Sequence, residues 1–474
     1  MATRNDAPKK TDEEKAKPKK PLKPEGMLEQ VPDIPVRYYQ EPAPQQEKAR
    51  RFLEAFAAIL RHSNYGFILD HFSRMTARCG RCAVACPVYQ ATHLARDLPC
   101  RRSELLLRVY RRHFTPEGRA RARLFNEPPL QDAEVDEMAE AFYRCTACRR
   151  CNLRCPMGID HALITHLGRY ILSEIGIVPK ALHVAVREQL QGKTGNTSAI
   201  PVPALLDTLS FLEDELKERF GKEIKFPVDV EGADMVFFPA VSDYLLEPDT
   251  LMGQAAVFYA TGDSWTIGTG YFDGINYGLF YSDRYLEEII MKEINEVRRL
   301  KARRILIGEC GHAARSAKFF VPTYGGESAP PVISILEYTA QAIKDGRIRL
   351  NRDAIKERVT YHDPCNIARS GWIIDQPRFI LRSFIRDYVD MTPHGRENYC
   401  CGGGGGTVSV DEIRKFRTGI GGRRKAEQLR ATGAHYVVAP CANCKKQLRE
   451  IVEDHGLDME VVGLHDLILK AIVL

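Results

Sequence analysis

The stretch Asn398-Tyr399-Cys400-Cys401-Gly402-Gly403-Gly404-Gly405-Gly406 decides how this chain is read. Two adjacent thiolates can hardly serve one tetrahedral zinc without backbone strain. They suit a multi-iron cluster, in which neighbouring sulfurs bind different irons. The glycines that follow let the backbone approach bulky inorganic sulfide and aim N–H groups at it. Upstream lies Cys365, in Tyr361-His362-Asp363-Pro364-Cys365, and downstream lies the pair Cys441-x-x-Cys444. Five thiolates are one more than an ordinary cubane needs. His362, beside a ligand, is expected to tune or shield the cluster.

The same spacing occurs once more, worn down. Pro364-Cys365 is followed by 34 residues, Cys400-Cys401-Gly402, 38 residues and Cys441-x-x-Cys444. Earlier, Pro239-Ala240 is followed by 31 residues, Phe272-Asp273-Gly274, 35 residues and Cys310-x-x-Ala313. Short apolar runs at 304–308, 359–362 and 436–439 alternate with amphipathic patterns. Each half, 226–345 and 346–474, is therefore expected to be one α/β unit, the two packed about a pseudo-two-fold axis. Only Cys310 survives from the first set, so one such cluster is expected. At a helix N-terminus the Cys310 thiol should have a lowered pKa, and His312 could hand a proton to a leaving thiolate. On this reading both are catalytic, and with Asp273 they line the space the lost cluster vacated. The competing reading is a relic cysteine packed as a small hydrophobe, with His312 hydrogen-bonded in the core.

The chain has 14 cysteines, and eight lie between Cys79 and Cys155. One run reads Cys145-x-x-Cys148-x-x-Cys151-x-x-x-Cys155-Pro156, the bacterial ferredoxin pattern. Three closely spaced thiolates of such a run grip one cluster and the cysteine before proline reaches the other. The earlier run reads Cys79-x-x-Cys82-x-x-x-Cys86-Pro87, with Thr76 where a further cysteine is expected. The crossed rule assigns Cys145, Cys148, Cys151 and Cys86 to one 4Fe-4S cubane. Cys79, Cys82 and Cys155 form a second site short of one ligand. Cys100 closes it, or it holds a 3Fe-4S cluster or an iron with a non-cysteine ligand. Zinc motifs use paired Cys-x-x-Cys rather than this triplet-plus-proline form.

At 474 residues the chain has room for two or three domains. Residues 1–45, rich in Lys, Glu and Pro, read as a disordered or partner-bound tail. Residues 46–225 read as a helical ferredoxin-like domain, with Phe52, Phe56, Ile59 and Leu60 at helical spacing and a Gly/Thr/Pro-rich linker near Gly192 to Pro203. Residues 226–474 form the α/β part. No run of about 18 apolar residues is present, so no helix is expected to span a bilayer. Closely spaced cysteines without a secretory signal point to metal ligands in a reducing compartment, the cytoplasm. No flavin or nicotinamide fingerprint is present, so electrons must come from another protein. The net charge of +6 makes no case for nucleic acid. Eight arginines between Arg101 and Arg123, with Arg144, Arg149, Arg150 and Arg154, read either as a solvated face and counter-charge for anionic clusters, or as a docking face for an acidic partner or anionic lipid.

The set Cys365, Cys400-Cys401-Gly402 and Cys441-x-x-Cys444 resembles the cysteine-rich CCG family, whose best-known member is the B subunit of heterodisulfide reductase. The resemblance implies that these five cysteines hold a noncubane 4Fe-4S cluster that works on disulfides. The two cubane motifs, with their flanking helices, resemble the C subunit of the same enzyme. The two parts on one chain, with the segment Gly308 to Arg315 and the run Arg102 to Arg112, look like the DsrK family. That resemblance implies a peripheral subunit on the cytoplasmic face of the cytoplasmic membrane, anchored by an integral-membrane b-type cytochrome (DsrM-like) within a DsrMKJOP-like complex. It also implies electron exchange with a DsrC-like disulfide or trisulfide in dissimilatory sulfur metabolism. The alternative is a pure electron-transfer subunit, similar to HmcF, TmcB or the iron–sulfur subunit of glycolate oxidase.

Overall fold

The computed structural model describes residues 27–36, 47–76 and 78–474. In its N-terminal part, helices Lys48–Arg61, Tyr65–Met75, Pro99–Phe114, Asp132–Tyr143 and His161–Glu174 enclose a core of Phe52, Phe56, Leu106, Phe142, Leu167 and Ile171. Local chemistry fixes where these helices begin. Pro99 opens its helix where a backbone N–H would be unpaired in any case. Gln131 and Glu134 form a reciprocal capping box. The Asp160 carboxylate accepts from the amides of Ala162 and Leu163 at 3.0 and 2.9 Å.

The C-terminal part contains two four-stranded parallel sheets. The first is built from β1 (Met235–Phe238), β2 (Trp265–Thr266), β3 (Arg304–Ile307) and β4 (Val332–Ser334), in the order β2-β1-β3-β4. After the short β5 (Arg349–Leu350), the second uses β6 (Val359–Tyr361), β7 (Tyr388–Asp390), β8 (Tyr436–Val438) and β9 (Glu460–Val462), in the order β7-β6-β8-β9. The two orders are the same arrangement, second-first-third-fourth. The apolar runs MVFF and VTY are buried throughout because helices cover both faces of a parallel sheet. A last strand, β10 (Ile472–Val473), pairs antiparallel with β5 and ties the chain end to the junction between the halves. Helices Pro248–Thr261 and Leu464–Ala471 cross so closely that a Cβ at Gly253 would sit 2.1 Å from the His465 carbonyl oxygen.

In both sheets the loops bearing the motif residues leave the carboxyl ends of the central strands. There the connections diverge to opposite sides and leave a crevice. Cys310 follows β3, Cys365 follows β6 and Cys441 follows β8.

Packing divides the chain differently from composition. Helices Lys180–Gln191 and Val202–Phe220 bury Leu182, Val186, Leu205, Leu209, Leu212 and Leu216 in the α/β core. Conversely, Val410, Ile413, Phe416 and Ile420 enter the ferredoxin-like core. The 192–203 segment is more than a spacer, since Asn196 accepts a buried hydrogen bond from the Ile200 amide and Thr197 makes partly buried ones to Asp273. The expected tail also needs correction where it is described. Val36 is buried, the Val31 amide bonds the Ala91 carbonyl at 2.9 Å, and Asp33 pairs with Arg144 and Arg96. Residues 1–26 and 37–46 of that tail lie outside the described residues.

Candidate iron–sulfur sites and the cleft beside them

The structure brings Cys86, Cys145, Cys148 and Cys151 together: burial pushes the Cys86 and Cys151 thiols up, and charge on the neighbouring cysteines adds to it. The Cys145 sulfur also accepts the Ala147 amide at 3.4 Å. In the other motif, the Cys82 and Cys100 thiols are hydrogen-bonded to each other, and this bond holds Cys100 down at about 6. Cys100 sits in the first turn of helix Pro99–Phe114, buried like Cys82, whereas Cys79 is exposed and Cys155 half-buried.

The five cysteines of the second constellation converge at the carboxyl ends of β6 and β8, and all are buried. The Cys400 thiol is hydrogen-bonded to Cys365 and Cys401, and the Cys401 and Cys444 sulfurs lie 3.5 Å apart; all are free thiols. Cys444 is hydrogen-bonded to Cys441, and Cys441 in turn to Cys310. The Gly402 amide points at the Cys400 sulfur, 3.3 Å away, where Gly402 has φ +97°. His362, Cys401 and Cys444 bring their ligand atoms within 4.8 Å of one another. Burial holds the His362 imidazole below its usual pKa, with Asn398 on its Nδ1 side at 3.4 Å.

The two constellations touch. The Cys148 thiol is hydrogen-bonded to Cys400. Arg369 donates to the Cys148 carbonyl at 2.7 Å and to the Asn398 carbonyl at 2.5 Å. The glycine run makes this approach possible, a role the sequence reading missed. A Cβ at Gly404 would lie 2.3 Å from the Thr146 carbonyl oxygen, and one at Gly405 would lie 2.8 Å from that of Cys145. The run after Cys401 thus packs against the loop that carries Cys145 and Cys148. Its bare spacing from Cys145 gave no sign of this.

The donor set fits iron–sulfur groups on grounds beyond the thiols. Arg369 is buried beside Cys148, Cys365 and Cys400. Burial opposes its charge, and those thiols outweigh burial and hold its pKa above the usual value. Its Nη2, and Nε of the buried Arg102 beside Cys145 and Cys86, have no partner among the described residues. Lys425, bound to Asn398 at 2.7 Å, is pushed down to about 7 by burial, with Asp363, Cys401 and Cys400 opposing. Lys425 also donates to Gln428 at 2.6 Å, but like Arg102 and Arg369 it makes no ion pair among the described residues. Buried cations of this kind are costly unless an anion faces them, and a thiolate-ligated cluster is such an anion.

The vacated site differs from expectation. Cys310 does cap helix Gly311–Gly325, and its sulfur lies 3.2 Å from His312 Nδ1. It is fully buried, however, and burial together with Cys441 drives its pKa well up, against the expected lowering. Desolvation of a thiolate outweighs one helix end. Asp273 is not among the residues lining the cavity at the cysteines. It accepts the Thr197 amide and hydroxyl, both at 2.8 Å, and the Ile275 amide at 2.8 Å. His312 stacks on Tyr277 at 5.3 Å and lines a cavity of about 20 Å³ with Cys365, Cys401, Cys441, Cys444, Asn443 and Phe280.

Phe280 also lines a larger cleft of about 180 Å³ between the two domains, whose walls include Ala147, Arg149, His166, Arg169, Asp283 and Arg315. A third cavity, about 590 Å³, lies among Arg108, Arg111, Arg112 and Arg121. The basic run is mostly neutralised there: Glu104 pairs with Arg78 and Arg111, Glu134 with Arg108, and Glu127 with Arg112 and Arg121. Arg102, Arg144 and Arg150 are buried, whereas Arg119, Arg121 and Arg123 stay exposed on helix Pro116–Leu124 beside exposed Leu124 and Phe125. Among the described residues, no helix is long and apolar enough to cross a membrane.

Two protein families match the chain: a 4Fe-4S dicluster domain over residues 77–159 and a cysteine-rich domain over residues 359–449. A protein named Hdr-like menaquinol oxidoreductase iron-sulfur subunit 2, from Archaeoglobus fulgidus, is 30% identical over 467 residues, covering 89% of this chain and 83% of that protein. The Hdr-like menaquinol oxidoreductase iron-sulfur subunit of Archaeoglobus profundus is 27% identical, covering 85% of this chain and 80% of that protein. One subunit of the dihydromethanophenazine:CoB–CoM heterodisulfide reductase of Methanosarcina mazei is 25% identical, covering 83% of this chain and 93% of that protein.

Proposed function

We propose that this chain, which belongs to the Hdr-like CCG family of iron–sulfur oxidoreductase subunits, is the catalytic iron–sulfur subunit of a membrane-associated redox complex. It passes electrons between a quinone-linked b-type cytochrome subunit (DsrM-like) and a protein disulfide or trisulfide of the DsrC kind. The observation that carries this reading is the line of neighbouring thiols from Cys148 through Cys400, Cys401 and Cys444 to Cys441, which joins the two constellations. Cys86, Cys145, Cys148 and Cys151 hold one cubane, and Cys79, Cys82, Cys155 and Cys100 hold the other. Cys365, Cys400, Cys401, Cys441 and Cys444 hold the noncubane cluster. When bound, these groups supply one electron at a time and a site at which sulfur binds iron.

The chain's own residues do the rest. Arg369 and Lys425 balance negative charge at the buried side of the five cysteines. The Gly402 amide orients Cys400. His312, set between Cys310 and the aromatic pair Tyr277 and Phe280, is the group placed to give a proton to a departing thiolate at Nδ1 or Nε2. The small cavity admits about one water, so Phe280 must shift before a disulfide reaches it. Exposed Arg119, Arg121 and Arg123 form the face offered to the membrane-bound partner, at the cytoplasmic side of the cytoplasmic membrane.

The test is anaerobic turnover of the cluster-loaded protein with reduced methyl viologen and a protein disulfide. Reduction by the wild type and its loss in Cys401→Ser are expected. Wild-type inactivity with all clusters present would refute the catalytic role. The closed cavity and buried Cys310 favour a second reading, a pure electron-transfer subunit of the HmcF, TmcB or glycolate-oxidase kind.

A further inference from the structure

The interdomain cleft beside Phe280 carries charge that its surroundings do not balance. Four of its polar side chains are engaged. Tyr65 donates to Asp283 at 2.8 Å and His166 meets the other Asp283 oxygen at 2.7 Å. Arg169 donates to the carbonyls of Phe142, Cys145, Phe280 and Gly405. Two arginines remain. Arg149 has Asp160 at 3.8 Å, a carboxylate already capping helix His161–Glu174 through its other oxygen. Arg315 is 8% exposed, makes no ion pair among the described residues, and donates to Asn366 Oδ1 at 3.1 Å.

The position of Arg315 gives this charge a use. It lies one turn along the helix from Gly311, and that turn packs beside Ile367, Pro364 and Asn366. Asn366 follows Cys365 and, with Gly311, His312 and Phe280, lines the cavity at the five cysteines. Arg315 and Phe280 line the cleft. The path from cleft to cysteines therefore runs past a buried guanidinium with donors to spare and a second guanidinium opposite. A guanidinium fork matches a planar carboxylate, or two oxygens of a sulfonate, and burial of such a charge is offset only by an anion.

We infer that Arg149 and Arg315 form a binding subsite for an oxyanion, a carboxylate or sulfonate, carried by the sulfur compound that reacts at the five-cysteine site. The inference rests on the proposed function and adds to it the chemical class of the substrate. The carboxylate at the end of a protein's cysteine-bearing arm and that of a small organic disulfide offer the same chemistry.

The cluster-loaded protein is assayed with reduced methyl viologen, each disulfide taking up two electrons and two protons to give two thiols. The small substrates are 3,3′-dithiodipropionate and its diamide. The arm is represented by a disulfide-linked peptide ending in a free carboxylate or in an amide. The acid form of one pair is expected to have a KM about tenfold or more below its amide. Which pair discriminates identifies the source. Arg315→Gln and the partly exposed Arg149→Gln should remove that difference, and Arg315→Lys should keep part of it. Neutral substrates should be unaffected, and so should the reduction potential in an EPR-monitored titration. Equal KM values for acid and amide, or a variant that slows both alike while shifting the potential, would overturn the subsite and make Arg315 counter-charge for the cluster. Thermal shift by 3-mercaptopropionate against 3-mercaptopropionamide reads binding without turnover. Acid-selective binding, lost in Arg315→Gln, with no reduction of any disulfide would refute the proposed function and leave the subsite standing. Absence of selective binding would refute the subsite.

Discussion

Replacing Arg144 by methionine should uncouple the two cubane motifs. The guanidinium holds Asp97 through Nε–Oδ1 at 2.7 Å and Nη2–Oδ2 at 2.8 Å, and neither side chain is exposed. Removing it leaves the Asp97 carboxylate buried with the Thr92 hydroxyl, 2.7 Å away, as its side-chain partner. Asp33 and Glu140, which also face Arg144, are partly exposed and would be solvated. Stranding one buried charge costs about 3–5 kcal/mol, roughly a hundred- to several-thousand-fold in the folding equilibrium. The damage would reach the cysteines. Arg144 precedes Cys145, and the Asp97 carbonyl accepts from Arg102 at 2.9 Å and lies 3.7 Å from the Cys86 sulfur. The assay is anaerobic urea titration of the cluster-loaded protein, followed by bleaching of cluster absorption. With a slope near 2 kcal/mol/M, the midpoint should fall by about 1.5–2.5 M. Asp97→Asn in the same chain removes the stranded anion and should recover at least half of the loss. A fall below about 0.5 M, or a double variant as weak as the sum of the singles, would refute the reasoning.

Cys401→Ser should abolish signals that depend on disulfide and spare the low-potential cubane signals in EPR. Iron analysis of anaerobically purified protein should give about twelve irons, or about eleven if the site beside Thr76 is a three-iron cluster, and Cys100→Ser should lower the count or convert that signal. Gly404→Ala forces a Cβ to within 2.3 Å of a backbone oxygen, so the domains must part. Stability should fall by about 1–3 kcal/mol, and reduction of the five-cysteine site through the cubanes should slow in rapid-freeze EPR. His161, on Ser103 at 2.9 Å, is held down at about 4 by burial, below the ordinary 6.5. The folded protein binds its proton less readily than the unfolded chain. Its contribution, about 3 kcal/mol, is therefore full above pH 6.5 and lost as pH falls toward 4. His161→Asn should flatten that part of a melting-temperature profile.

Much of the chemistry was legible in one dimension because it is written in spacing. Ligands from one loop must sit at fixed intervals, so Cys145-x-x-Cys148-x-x-Cys151, Cys400-Cys401 and Cys441-x-x-Cys444 declare iron without any knowledge of packing. The matching distances between motif residues in the two halves were legible too, and the two sheets have the same strand order.

Burial and long-range contact were not legible. A cysteine at a helix start reads as acidified, yet Cys310 lies where desolvation exceeds the helix-end field. Arginines read as a charged face, yet Arg144 and Arg169 are buried on carboxylates or carbonyls that neighbour them only in space. Glycines after a ligand pair read as room for sulfide, and their use against Thr146 depends on a partner more than 250 residues away in the chain. Sequence alone determined which cysteine sulfurs can act together as donors from one loop, and their local order, because covalent spacing sets both. The contact of Cys148 with Cys400 and the unbalanced charge of Arg149 and Arg315 were decided by tertiary structure, because electrostatic cost depends on what surrounds a group in three dimensions.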